Sequence, residues 1–245
     1  MLSNKKIIYW DSLHKEVEID ISDYIIPTKE ILPEWWKGII AETHKFHGKK
    51  LNSVVQCPSY QDMFYKTYTF ISPCDMTIEV SRFGFNFRGT DERWLHLSTH
   101  TINDKTNHQL GKLWDEDLVN LKINTNLIIQ PKNHITKIFY LPSFYHDPRA
   151  ELILAPGIME MSPEQNAMFN FNFFVDLKEY SKTETKIISI DAGQPLACLY
   201  IDEGNTIFKK NDLKFKPKKK FSGEWLKNLR VFKNKQKEKK CPFHF

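Results

Sequence analysis

The chain has 245 residues, 41% hydrophobic and 13% aromatic, which is enough for one sizeable core and too apolar for disorder along its whole length. Its 35 Lys/Arg and 30 Asp/Glu give a net charge of +5, but residues 209–240 hold 14 of the basic and 3 of the acidic residues, so an acidic body of −6 carries a basic segment of +11. No apolar run nears the roughly 20 residues of a membrane span, and Ile7-Ile8-Tyr9-Trp10, ended by Asp11, is too short for a signal-peptide core, so a soluble protein that is not secreted is expected.

The N-terminal 28 residues read as short strands, Ile7 to Trp10 and then the alternating Val17 to Ile21. Pro33 suits the first turn of a helix running to about His44, with Trp36, Ile39 and Ile40 on one face. Pro58 opens a second short helix to Tyr65. From Thr69 the period becomes two. Strands are expected at Met76 to Ser81, Phe83 to Phe87, Arg93 to Thr101, Val119 to Asn124, Asn126 to Gln130 and Ile135 to Leu141. A bent strand at Leu152 to Met161 and a long alternating one at Asn166 to Val175 follow. Ile187 to Ile190 and Pro195 to Ile201 close the series around the four-residue break Asp191-Ala192-Gly193-Gln194. The fold class is therefore mostly β, an antiparallel barrel or sandwich with two short N-terminal helices.

The division expected is a β-rich domain over 1–208, a basic linker over 209–221, and a basic amphipathic helix with an apolar C-terminus over 222–245. Ser222 is placed to cap that helix, while Trp225, Leu229 and Phe232 form its apolar stripe. Lys218, Lys219, Lys220, Trp225, Leu229, Arg230 and Phe232 are the candidate partner-binding residues, because lysines interleaved with aromatics suit an acidic or phosphate-bearing surface. A protein partner, nucleic acid and a passive solubilising extension all fit that composition.

Other chemistry is thinly marked. His96 and His100 fall on one face of a strand with Trp94 and Ser98, a pattern that serves either a shared metal, with His108 or His134 as a third ligand, or ordinary hydrogen bonds. Ser143, His146 and Asp147 are sequence neighbours, which a catalytic triad does not require, and a polar turn into Pro148 accounts for them. Cys57-Pro58 and Ser72-Pro73-Cys74-Asp75 read as a helix cap and a turn; the four cysteines show no C-x-x-C pair. Phosphate-loop, dinucleotide and zinc-protease motifs are absent, and no cofactor is expected.

The order of strands from Leu127 to Ser143, then Ala155-Pro156-Gly157-Ile158-Met159-Glu160, then Ile188-Ser189-Ile190-Asp191-Ala192-Gly193-Gln194-Pro195-Leu196-Ala197-Cys198-Leu199, resembles the β-barrel of the dUTPase and dCTP-deaminase superfamily. The resemblance covers roughly residues 120 to 201. The whole layout also resembles uncharacterised proteins of tailed phages. The first resemblance implies a distorted barrel and a trimer. It also marks where the family chemistry would sit: Ser143 at the phosphate, and Glu160 as the carboxylate nearest the catalytic Asp position, which falls at or beside Met159. The family's phosphate-binding Arg-Ser-Gly is reduced to Ser143, its sugar-packing Tyr has no counterpart in Met161-Ser162-Pro163, and Cys198 replaces the Gln of its closing segment. The expected function is accordingly non-enzymatic: a phage virion or assembly component, in the host cytoplasm during infection and in the particle, docking through its tail to other virion or assembly proteins. The alternatives are a diverged nucleotide pyrophosphohydrolase or deaminase using Glu160 and Ser143, and a metal-dependent enzyme using His96 and His100.

Overall fold

The fold is taken from a computed structural model that describes residues 6–13, 18–45, 57–82, 84–89, 95–98, 117–143, 151–181, 183–201 and 206–214. The strands are β1 (Lys6–Ser12), β2 (Ile25–Pro27), β3 (Thr67–Ile71), β4 (Met76–Ser81), β5 (Gly84–Gly89), β6 (Leu95–Ser98), β7 (Leu118–Pro131), β8 (Thr136–Pro142), β9 (Ile153–Leu154), β10 (Gly157–Met161), β11 (Ala167–Asp176), β12 (Lys186–Ile190), β13 (Pro195–Ile201) and β14 (Thr206–Lys210). The helices are α1 (Glu34–Lys45) and α2 (Pro58–Lys66).

Among the described residues the strands form three sheets. The first runs β14-β1-β7-β11-β9 with β6 also on β7, the second β10-β8-β13-β3-β2, and the third β12-β4-β5. The mostly β class expected from the sequence holds, but a closed barrel does not: every sheet ends on strands that pair with one neighbour only, so among the described residues none closes on itself. The reason lies at Ala155-Pro156. The expected bent strand is present as β9 and β10, yet its two halves belong to different sheets. Pro156 has no N–H for a ladder, so pairing stops there and the chain crosses from one sheet to the other.

Between the first two sheets lies an aromatic core. Phe169, Phe171, Phe173 and Val175 of β11 are all buried, as period-two alternation requires, while Asn172 and Asp176 face out. Phe171 stacks on Phe70 of β3 with ring centroids 4.1 Å apart, and Tyr140 of β8 meets Phe171 at 5.3 Å. These contacts join elements from both sheets into one cluster.

The two strands expected at Val119 to Asn124 and Asn126 to Gln130 are one, β7, with an irregularity at the expected break. Its pairing with β11 jumps from Met168 opposite Ile128 to Asn170 opposite Asn124, so β7 holds extra residues at Thr125–Leu127. The Thr125 hydroxyl donates to the Phe169 carbonyl, a group the disturbed ladder leaves over. The same place divides the other edge of β7, with β6 opposite Lys122–Thr125 and β1 opposite Leu127–Pro131.

Two expectations fail near the N-terminus and near residue 209. Val17 to Ile21 alternates like a strand, but Asp20 caps a 3-10 turn over Ile21–Asp23: its Oδ1 accepts from the Ser22 N–H at 2.9 Å, and the Asp20 N–H donates to Asp23 Oδ2 at 2.8 Å. A capping box satisfies these donors locally and outcompetes the strand. The expected linker boundary at 209 falls inside β14, which runs parallel to β1 with Lys209 and Lys210 opposite Tyr9 and Trp10. An edge strand tolerates lysine on its solvent side, so a basic composition did not mark a linker here. The strands at β3 and the first half of β14 were not anticipated either. Residues 222–245, with the expected amphipathic helix, lie outside the described residues.

Replacing Phe171 with Ala should lower unfolding free energy by about 3–5 kcal/mol, because it removes a ring from the inter-sheet stack. Ile158→Ala, at a position 64% exposed, should change it by less than about 0.5 kcal/mol. Urea titration with unchanged slope checks both.

Candidate functional site

Glu160 lies on β10, an end strand of the second sheet, opposite Lys137 of β8. Alternation along β10 turns Met161 into the core and Glu160 outward, where its carboxylate is 60% exposed and 3.6 Å from Lys137 Nζ. A pair this exposed contributes about 0–1 kcal/mol. Met159, at the position nearest the family's catalytic carboxylate, points inward and accepts a 3.3 Å hydrogen bond from the Tyr140 hydroxyl at its sulfur. Burial raises the Tyr140 phenol pKa well above its ordinary value.

Ser143 is buried just past the end of β8 and donates to the Pro195 carbonyl at 3.4 Å. It borders a cleft of about 100 Å³ with Glu151, Ser189 and Gln194, well below the roughly 300 Å³ of a small-molecule pocket. Glu151 is 3.5 Å from Lys186. Glu160 and Ser143 are not brought together. Glu160 sits opposite Lys137, six positions before Ser143, and six residues of extended strand span about 20 Å. A base at that distance cannot activate a water for a substrate held at the serine.

The cysteine-proline segments serve as fastenings. Cys57 precedes α2, whose first residue is Pro58. The Ser72–Asp75 turn is tied to the Asp191–Gln194 turn by three hydrogen bonds: Gly193 N–H to the Ser72 carbonyl at 2.7 Å, Ser72 N–H to the Gln194 carbonyl at 2.9 Å, and Ala192 N–H to Asp75 Oδ1 at 2.7 Å. Gly193 has φ +82°, a conformation that favours glycine, which explains the Gly-centred break. Cys198 shares a hydrogen bond with buried Thr69, whose hydroxyl lies 2.9 Å from that of Thr28. Burial pushes its thiol up to about 11, against the opposing pull of a hydrogen bond with Thr69.

His96 occupies a register position opposite Asn124 in the first sheet. His100 and His108 lie outside the described residues, as do Lys218, Lys219, Lys220, Trp225, Leu229, Arg230 and Phe232. Among the described residues no three of His, Cys, Asp and Glu gather in a way that could hold a metal. No helix there is long and apolar enough to cross a membrane.

No family model matches this chain, and no curated protein does. Solved structures give faint likenesses. One is the dUTPase of phage phi11 of S. aureus, at 13% identity and a TM-score of 0.26, covering 52% of this chain and 99% of that one. Another is the dUTPase of Staphylococcus bacteriophage 80alpha, at 12% identity and a TM-score of 0.26, covering 53% and 96%. A TM-score that low transfers neither fold nor activity to this chain.

One feature escaped the sequence reading. A groove of about 440 Å³ opens between β1, β14 and the segment Glu18–Asp23. Its acidic residues Glu18 and Asp20 fall within Val17 to Ile21, where the alternation predicts a strand.

In the native protein, Cys74 and Cys198 should resist a thiol-alkylating reagent at pH 8, because both are buried, while half-buried Cys57 reacts. Peptide mapping by mass spectrometry before and after unfolding checks this. Native labelling of Cys198 as fast as Cys57 would contradict its placement.

Proposed function

We propose that this protein acts by binding: a phage-encoded virion or assembly component that docks through its basic C-terminal segment. The observation that carries the reading is the roughly 20 Å of strand between Glu160, on an open surface, and Ser143, in a cleft too small for a nucleotide. The charge division adds support. Beginning at residue 215, the segment to 240 still holds 11 Lys/Arg against 2 Asp/Glu, attached to a body of net −4. Such a segment is drawn to acidic protein surfaces and, by the same charge, to nucleic acid. Self-association into a trimer belongs to the same proposal.

The test is a truncation, and the structure sets where to cut. Leu213 is buried, its N–H donates to Asp11 Oδ2 at 2.7 Å, and Asn166 Nδ2 donates to the Lys214 carbonyl at 2.7 Å. Removal of 215–245 should therefore leave thermal stability within a few degrees of the full chain while abolishing co-purification with phage particles. Removal of 209–245 should lower stability as well, because it takes Lys209 and Lys210 from β14 and removes Leu213. Particle association that survives the shorter deletion would sink the docking role. Turnover in a nucleotide panel that Glu160→Gln abolishes would restore the enzyme reading.

A further inference from the structure

We draw no further inference here: the strongest candidate, the apolar row that Ile158, Phe139 and Tyr200 form across β10, β8 and β13 on the outer face of the second sheet, carries none because nothing in the structure shows what covers it.

Discussion

The contact between Phe70 and Phe171 is the point on which the architecture turns. The rings belong to β3 and β11, strands far apart in sequence and in different sheets, and they stack at 4.1 Å. Burying such a ring contributes about 1.5–3 kcal/mol by transfer alone, and the aromatic geometry adds about 0.5–1.5 kcal/mol. Phe169 and Tyr140 extend the contact along β11 and across to β8. Once these rings are matched, β11 can present only one face inward, and the register of β11 on β7 follows from that face.

That constraint explains why β7 is irregular. A strand long enough to serve both β6 and β1 along one edge accumulates twist, and the extra residues at Thr125–Leu127 bend it while keeping Ile123 and Leu127 buried. The Thr125 hydroxyl then takes up the Phe169 carbonyl within the buried sheet. A Ser or Thr is suited to this place because its side chain can reach a neighbouring carbonyl. Arg82 plays a comparable part at the other end. Its guanidinium donates to Asp117 at 2.9 Å and to the Tyr180 carbonyl at 2.8 Å, tying the start of β7 to the turn after β11.

Much of this was legible in the sequence because alternation reports which face of a strand is buried. Phe169-x-Phe171-x-Phe173-x-Val175 fixes β11 almost alone, and Pro33 and Pro58 place the helix starts within a residue. Alternation does not report which edges meet. A strand at a sheet end and a strand in a closed barrel carry the same pattern, so alternation does not show the open order of the sheets, and Leu152 to Met161 reads as one bent strand. Hydrogen bonds between turns, such as Ala192 N–H to Asp75, join residues more than a hundred positions apart and leave no local mark. The same limit holds for the candidate site. Ser143 and Glu160 are seventeen positions apart in sequence, and only the pairing of β10 with β8 shows that Lys137 stands beside the glutamate.

The boundary between body and tail changes the electrostatic argument. Composition places the change at residue 209, but Lys209 and Lys210 stand in β14, and the chain stays tied down to Lys214 through Leu213 and Asn166. The charge division therefore has a fixed origin on the body surface. The basic segment reaches Lys240, 26 residues past Lys214, so a partner held within it stays within about 90 Å of that anchor even at full extension. A partner so held is presented to the body at a raised local concentration, so weak contacts on the body gain occupancy without gaining intrinsic affinity.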